Sequence, residues 1–347
     1  MHFASDNTGP THPDILNAVI EASEGYAMPY GRDPWAAEAE AQLREVFEAP
    51  EASVYLVATG TGGNSLALGT LAAPWSAIFC HERAHVLSDE SHGPIFYSGG
   101  AAFAPVAGAN GKMTPDALSH MLDRYAPGDV HTPARGPLTL TNITEAGTAY
   151  TLDEMDALTK LAQAAGVPVH LDGARFANAC EALGCSAAEL SWKRGIDAVT
   201  FGGTKNGCMS VEAILFFDPA HGDTFERQRM RGGHLFSKHR MLSAQMLAYT
   251  RDDLWRRLAA QANAAGQYLA QSLGNHVEFA HEPAANMLFV RFARALHRKL
   301  RAEGAAFYSY GDAENGPDDE PLLARLVCDW SATAENTDRF VNILRAG

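Results

Sequence analysis

The chain has 347 residues, enough for one large domain and a smaller one, and its 46% hydrophobic and 20% charged residues are typical of a globular protein. Lysine and arginine total 27 against 41 acidic residues, and this net charge of −14 argues against partners such as nucleic acids or anionic membranes. Five cysteines without a C-x-x-C pair, and a start without a signal-peptide pattern, predict a reducing cytoplasm.

Short apolar runs alternate with helix-like segments over roughly the first 245 residues. The sequence predicts helices at 63–73 and 151–166, the second with a capping box of Thr151 and Glu154. Strands are predicted at 53–60, 76–81, 136–144, 167–175, 196–203 and 211–217. This alternation predicts crossover connections and a mainly parallel sheet with helices on both faces.

The pattern changes near residue 240, where a long helical period over 241–273 begins. Apolar runs and helix-like segments then follow at 286–292, 295–304, 305–311, 322–330 and from about 333. We therefore predict an α/β fold with a large domain at 1–245, including an N-terminal arm, and a smaller α+β domain at 246–347.

The segment ATGTGGNSLAL, residues 58–68, joins a predicted strand to a helix through glycines. Free N–H groups and the helix dipole at such a junction favour an anion such as phosphate. Gly60 and Gly62 fit the dinucleotide fingerprint, but Ser65 occupies its third glycine position, and no P-loop lysine follows. A phosphate site and a plain tight turn both account for these glycines.

Asp172, in VHLDGARFANA, falls at the carboxyl end of an apolar strand, and Lys205, in TFGGTKNGCM, lies 205 − 172 = 33 residues later. Ligands bind at this edge of a doubly wound sheet. Asp172 either faces a cationic partner or caps the next helix, and Arg175 adds a cation nearby. A desolvated lysine amine either attacks a carbonyl carbon or binds phosphate as a point charge.

The segment HERAH, residues 81–85, matches the H-E-x-x-H zinc motif with Glu82 as its base. That motif needs both histidines on one helix, whereas His81 ends a predicted strand. His85 can equally serve as an aromatic platform for a flat ligand. A glycine-opened helix, a lysine, an aspartate and a histidine are together the groups that pyridoxal 5′-phosphate requires.

With these segments, the chain resembles the low-specificity L-threonine aldolases, pyridoxal-phosphate enzymes of the aspartate-aminotransferase-like fold (fold type I). The resemblance spans essentially the whole chain and rests on SDNTG (5–9), YGRDPW (30–35), VATGTGGNSLAL, CHERAHVLSDE, DVH (129–131), PVHLDGARFANA, FGGTKNG, RGGHLFSK (231–238) and ARLVCDW (324–330). Typical members open with Ser-Asp-Thr-Val-Thr and carry Leu-Ser-Lys-Gly at the lysine. The differences here indicate a branch of the phenylserine-aldolase type and leave the preferred substrate open.

The resemblance implies how the cofactor is held. Lys205 forms an imine with pyridoxal 5′-phosphate, Asp172 pairs with the ring nitrogen, and His85 stacks on the ring. Arg175 touches the cofactor as well as the substrate. The phosphate is held by Gly60, Thr61 and Gly62, and no metal is expected.

The resemblance also implies the reaction and the assembly. Ser5, Arg175 and Arg325 bind the carboxylate of the amino acid substrate, and His85 or His131 takes the proton of the β-hydroxyl group. The Cα–Cβ bond of L-threonine, L-allo-threonine or another β-hydroxy-α-amino acid is cleaved to glycine and an aldehyde. The protein is a homo-oligomer with a dimeric active unit, commonly a tetramer. Tyr30, which is also expected to bind substrate, and part of 231–238 lie at the subunit interface.

Three alternatives remain open from the sequence. The same cofactor could serve a β-eliminating lyase or deaminase of β-hydroxy or aromatic amino acids. A metal-dependent hydrolase could use HERAH, and a non-catalytic binding protein could share the fold.

Overall fold

Seven strands form the larger of two sheets in the computed structural model, which describes residues 1–346. In chain order they are β1 (Ser53–Val57), β2 (Ser76–His81), β3 (Ala102–Val106), β4 (Ala134–Thr141), β5 (Val169–Gly173), β6 (Ala198–Gly202) and β7 (Glu212–Phe216). Across the sheet their order is β1-β7-β6-β5-β4-β2-β3, and β7 runs antiparallel to both neighbours while the other pairs are parallel. The predicted mainly parallel sheet is confirmed, with β3 as an additional strand.

Every residue of β2, β5, β6 and β7 is buried, as expected for strands covered on both faces. The helices of this part of the chain are α1 (Pro13–Ser23), α2 (Pro34–Val46), α3 (Gly60–Leu71), α4 (His85–Ser88), α5 (Gly93–Ser98), α6 (Pro115–Arg124), α7 (Leu152–Ala164), α8 (Phe176–Leu183), α9 (Gly222–Arg231) and α10 (Arg240–Thr250). The predicted capping box is present at α7, where Thr151 and Glu154 bond each other's backbone N–H groups.

The single long helix predicted over 241–273 is wrong, because two helices occupy this range. After α10, a short 3₁₀ turn leads into α11 (Leu254–Leu273). Asp252 and Asp253 in this turn have φ angles of 50° and 54°, which no α-helix contains. Helical apolar spacing continues on both sides of the break, so the periodicity of the sequence does not reveal it.

Four antiparallel strands form the second sheet, in the order β10-β11-β9-β8. The strands are β8 (Glu278–Phe279), β9 (Met287–Ala293), β10 (Tyr308–Tyr310) and β11 (Pro321–Val327), and the accompanying helices are α12 (Arg294–Ala302) and α13 (Ala334–Arg345). The α+β character predicted for the C-terminal part agrees with this arrangement.

Two large hydrophobic cores lie beneath these sheets, and the chain crosses between them more than once. Met1 and Phe3 pack in the second core, where the Phe3 ring meets Phe340 at 5.2 Å, whereas Trp255 and Leu258 of α11 pack in the first. The domain boundary at residue 245 therefore stays a prediction.

Parallel pairing gathers the candidate residues at one edge of the larger sheet. β5 and β6 are neighbours, with Asp172 opposite Thr200, so Asp172 and the turn that follows Gly202 emerge on the same side. β1 runs in the same direction, and α3 begins three residues after it ends. Phe201 holds β6 in place within an aromatic cluster, with ring centroids at 5.5–5.6 Å from Phe47, Phe176, Tyr249 and Trp255.

The cysteines and the apolar character of the helices bear on the environment of the protein. All five cysteines are buried free thiols. Within residues 1–346, no helix combines the length and the apolar character that a membrane crossing requires.

Candidate active site

An inner cavity of about 280 Å³ opens at the carboxyl ends of β5 and β6. Six predicted residues line it, namely Gly60, Thr61, His85, Asp172, Arg175 and Lys205. An outer cavity of about 530 Å³ shares His85, Arg175 and Lys205 with it and adds Ser5 and Arg325. The fold therefore gathers most of the predicted site residues around these two connected spaces.

Lys205 sits on a 3₁₀ turn, Thr204–Asn206, directly after β6. Burial and the neighbouring Arg175 guanidinium lower the pKa of its amine. The carboxylates of Asp6, Asp172 and Glu212 raise this pKa and partly offset the lowering. The amine is therefore unprotonated, and nucleophilic, at a lower pH than an exposed lysine.

Buried polar and steric contacts fix the conformation of this turn. The Asn206 side chain donates to Tyr249 Oη at 2.7 Å and to the Trp255 carbonyl oxygen at 2.8 Å. Gly207 has a φ of 99°, and a side chain there would meet Leu258 at 2.8 Å. Asn206, which differs from the typical family pattern, thus fixes the backbone around Lys205.

Asp172 is held as a buried acceptor by two hydrogen bonds. Its Oδ1 accepts the Ala174 N–H at 3.0 Å, and its Oδ2 accepts the Asn64 amide at 2.9 Å. The same Asn64 amide nitrogen donates to Glu90 Oε1 at 2.9 Å. One buried carboxamide therefore joins two carboxylates, with Asp172 facing the cavity at the end of β5.

His85 begins α4 and is oriented by two glutamates. Its Nδ1 lies 2.8 Å from Glu90 Oε1, and its backbone N–H donates to Glu145 Oε1 at 2.8 Å. The hydrogen bond to Glu90 is the main cause that raises the pKa of His85, and burial opposes it. With Nδ1 engaged, Nε2 is the atom left for proton exchange.

The start of α3 offers the N–H groups expected for a phosphate. Thr59 is the N-cap, and its Oγ1 accepts the Gly62 N–H at 3.1 Å. Gly60 and Thr61 line the inner cavity, and their N–H groups precede the first intrahelical bond, from the Gly63 N–H to the Thr59 carbonyl oxygen. Gly62 differs from the prediction, because its N–H is capped and it does not line the cavity. A side chain at Gly62 would meet the His234 ring at 2.6 Å.

Arg175 is engaged by a partner that the sequence does not reveal. Its Nε and Nη2 donate to the two oxygens of Asp6 at 2.7 Å and 3.0 Å. Asp6 is buried and also accepts the Asn286 amide at 3.2 Å, and Arg175 helps to lower its pKa. One edge of the Arg175 guanidinium is thus already paired with Asp6, and the role of Arg175 at a substrate carboxylate stays a prediction.

Arg325 leaves more of its guanidinium available in the outer cavity. It projects from β11, donates from Nη2 to the Ala4 carbonyl oxygen at 3.1 Å, and lies 4.6 Å from the centroid of the Tyr308 ring. Its Nε is buried without a partner among residues 1–346. Ser5 caps the neighbouring turn and lines the same cavity, so the two residues can bind one carboxylate together.

Residues 2–295 match a family model described as "Beta-eliminating lyase". The chain belongs to this family. It is 37% identical to the low specificity L-threonine aldolase of Pseudomonas aeruginosa, over 99% of this chain and 97% of that protein. It is 35% identical to that of Pseudomonas sp., over 100% and 97%.

The fold of this chain matches a solved threonine aldolase from Leishmania major with a TM-score of 0.90 at 25% identity, over 99% of this chain and 98% of that chain. The resemblance to low-specificity L-threonine aldolases, fold type I and the expected lyase class are confirmed.

Two predicted site residues of this lyase lie outside the inner and outer cavities. His131 is exposed on the segment before β4, beside Trp75 at the amino edge of the sheet, because a residue that precedes a parallel strand lies opposite its carboxyl end. Tyr30 is on the surface, where its N–H donates to the Ser237 carbonyl oxygen at 3.0 Å. Within one chain neither residue reaches Lys205.

The zinc interpretation of HERAH is wrong for this fold. His81 ends β2 and His85 begins α4, so no single helix carries both. The ring of His81 is bonded at both nitrogens, at 3.1 Å to the Gly108 carbonyl oxygen and at 3.1 Å to the Arg83 N–H.

Sequence reasoning missed four carboxylates and an amide that shape this lyase site. Each lies close to a quoted motif: Asn64 in GTGGN, Glu90 five residues after His85, Asp6 beside Ser5, Glu145 after the β4 strand and Glu212 at the start of a strand that is otherwise apolar. A charged residue inside an apolar strand is itself a signal, because burial of a carboxylate needs a specific reason.

We expect Glu90→Gln to lower the pKa of His85, because the substitution removes the negative charge at Nδ1. A nuclear magnetic resonance titration of the His85 ring in the full chain measures this shift. Glu145→Gln is the matched control, since Glu145 bonds the backbone N–H of His85 rather than its ring. A titration midpoint that is the same in Glu90→Gln and the wild type would contradict the assignment.

Proposed function

We propose that this chain uses pyridoxal 5′-phosphate to cleave the Cα–Cβ bond of β-hydroxy-α-amino acids to glycine and an aldehyde. The proposed substrates are L-threonine, L-allo-threonine and relatives such as phenylserine. The observation that carries the proposal is the convergence of Lys205, Asp172 and His85 on one cavity at the start of α3. The names of the full-length relatives support the aldolase reaction.

The chemistry of the groups around the inner cavity fits this cofactor. The N–H groups of Gly60 and Thr61 are suited to a phosphate, and the carboxylate of Asp172 is suited to a protonated ring nitrogen. Lys205 supplies an amine of lowered pKa for the covalent bond, and His85 supplies a flat ring. When bound there, pyridoxal phosphate supplies an electron sink for the pair of the broken Cα–Cβ bond.

The residues of the chain divide the remaining work. Arg325 and Ser5 bind the substrate carboxylate and so fix which bond at Cα is aligned for cleavage. Asp172, held by Asn64 and the Ala174 N–H, keeps its negative charge in place beneath the cavity. The carboxylate of Glu90 accepts a hydrogen bond from the Nδ1–H group of neutral His85, so Nε2 carries no proton. His85 therefore takes the β-hydroxyl proton at Nε2.

Product analysis tests the proposal against β-elimination, the other chemistry that the family name suggests. With L-threonine or phenylserine, we expect glycine and an aldehyde in equal amounts, and no glycine from Lys205→Ala. Ammonia and a 2-oxo acid as the main products would instead make the chain an eliminating enzyme, because the same cavity would then release the β-substituent rather than the aldehyde.

We expect Arg325→Ala to raise KM by about 10- to 100-fold with a smaller effect on kcat, since a hydrogen bond to a charged group contributes about 1.5–3 kcal/mol. Steady-state kinetics with L-threonine measures this change. Arg291→Ala is the matched control, because Arg291 lies on the adjacent strand β9 and pairs with Glu278 at the surface. An unchanged KM in Arg325→Ala would contradict the assigned carboxylate role.

Exposed apolar side chains near α3 support the proposal that the protein is a homo-oligomer with a dimeric active unit. We propose that two such dimers form a tetramer. A patch of exposed apolar side chains, the 26/236 patch, consists of Tyr26, Met28, Tyr30, Met230 and Phe236. The Tyr30 N–H bond to the Ser237 carbonyl oxygen ties its two segments together, and His234 links the patch to the start of α3. Groups of exposed apolar side chains on neighbouring segments are typical of subunit interfaces. The five buried thiols support a reducing compartment such as the cytoplasm.

Phe236→Lys is expected to shift the protein towards monomer in sedimentation velocity, because it places a charge within the 26/236 patch. Tyr268→Lys is the matched control, as it adds the same charge at an exposed aromatic residue of α11 beside Asp338. A wild-type protein that sediments as a monomer would contradict the proposed assembly.

A further inference from the structure

Tyr308 is a half-exposed aromatic side chain that the proposed mechanism leaves unused. It begins β10, the edge strand of the second sheet, and 53% of its surface is exposed. Together with Ser5 and Arg325 it lines the outer cavity, where the proposed mechanism binds the substrate carboxylate. Its position therefore raises the question of what the ring does beside Arg325.

The pairing of β10 with β11 brings the ring and the arginine into contact. Tyr308 lies directly opposite Arg325 in the antiparallel register, and directly opposed side chains share one face of a sheet. The Cζ atom of Arg325 accordingly lies over the Tyr308 ring, 4.6 Å from its centroid. This distance is well within the about 6 Å over which an aromatic ring attracts a guanidinium.

The ring adds to a small set of contacts that fix the direction of this guanidinium. Within residues 1–346, Arg325 makes one hydrogen bond, from Nη2 to the Ala4 carbonyl oxygen at 3.1 Å. Its Nε is buried and has no partner in the same part of the chain. A single hydrogen bond leaves a planar group free to turn about the bonded nitrogen, and a ring against its central carbon restricts that rotation.

Arg325 and Arg175 are held in different ways, and the difference concerns their charge. Two N–H donors of Arg175 bond the carboxylate of Asp6, which balances the positive charge. The contacts of Arg325 are a carbonyl oxygen and an aromatic ring, and neither carries a net charge. Arg325 is therefore held in place while its positive charge stays available for an incoming carboxylate.

We propose that Tyr308 is a positioning residue for Arg325 and that its ring directs the guanidinium towards the carboxylate of the amino acid substrate. The ring acts through Arg325 and not through a contact of its own with the substrate. This inference rests on the proposed function, in which Arg325 binds that carboxylate.

Titration of the full chain, loaded with pyridoxal phosphate, with glycine tests this role. Glycine is the proposed product and carries the carboxylate without a side chain, so its affinity reports on the carboxylate site. The change in visible absorbance gives the Kd. Glycinamide is the reference ligand, because an uncharged amide replaces its carboxylate.

Three single variants separate the ring from its surroundings. Tyr308→Leu removes the ring, whereas Tyr308→Phe keeps the ring and removes only the hydroxyl group. Tyr310→Leu is the matched control, because it removes the other tyrosine of β10, whose ring lies 6.1 Å from that of Phe289 rather than over Arg325.

In Tyr308→Leu we expect the Kd for glycine to rise about 2- to 10-fold, the range that a partly exposed cation–π contact supports, and the Kd for glycinamide to stay unchanged. Tyr308→Phe and Tyr310→Leu are expected to keep the wild-type Kd for glycine. Adding Tyr308→Leu to Arg325→Ala is expected to weaken glycine binding no further, because the ring acts through the guanidinium.

An equal Kd for glycine in the wild type and Tyr308→Leu would overturn the proposal. Equal weakening of glycine and glycinamide, or a loss that persists in the Arg325→Ala background, would also overturn it, because Tyr308 would then act without Arg325. A wild-type chain that gains no visible absorbance with pyridoxal phosphate would refute the proposed function itself, and this inference with it.

Discussion

The arrangement of the site depends on one buried amide, the side chain of Asn64. Its nitrogen donates to Asp172 and to Glu90, both at 2.9 Å, and Glu90 in turn bonds the ring of His85. Two carboxylates so close together in the interior would repel each other, and Asp172 does raise the pKa of Glu90. The shared donor compensates for this repulsion and couples three elements: helix α3, whose start is offered to an anion, strand β5, which carries Asp172 next to its last residue, and helix α4, which begins with His85.

Much of the fold and of the inner cavity could be predicted from the sequence, because their signals are local. Apolar runs bounded by glycines located the parallel strands, and each functional residue was then placed by its distance from a strand end. Lys205 and His85 follow β6 and β2 closely, and Asp172 lies next to the last residue of β5, so sheet geometry alone brings them to one edge. The glycines before α3 gave the anion-binding start in the same way, although the capping role of Thr59 was not foreseen.

The remaining features of the fold and the site depend on contacts between residues that are distant in sequence, or on backbone conformations that no sequence pattern indicates. Asp6 and Arg175 are 169 residues apart, and only their meeting in the fold shows that Arg175 is already neutralised. The break between α10 and α11 depends on two aspartates with positive φ, while the apolar spacing runs through it. The resemblance implies a role for His131 near the substrate, but its position before β4 places it at the opposite edge of the sheet. In each case the residues near a position in the sequence do not show which distant residues it meets in the folded chain.

The central claim is that Lys205 is the residue that bonds covalently to pyridoxal phosphate. Borohydride reduction of the full-length protein in the presence of the cofactor, followed by peptide mass spectrometry, tests it most directly. The account predicts loss of the visible absorbance band and a reduced cofactor adduct on the peptide that contains Lys205. An adduct on another lysine, such as Lys238, or no adduct at all would contradict it.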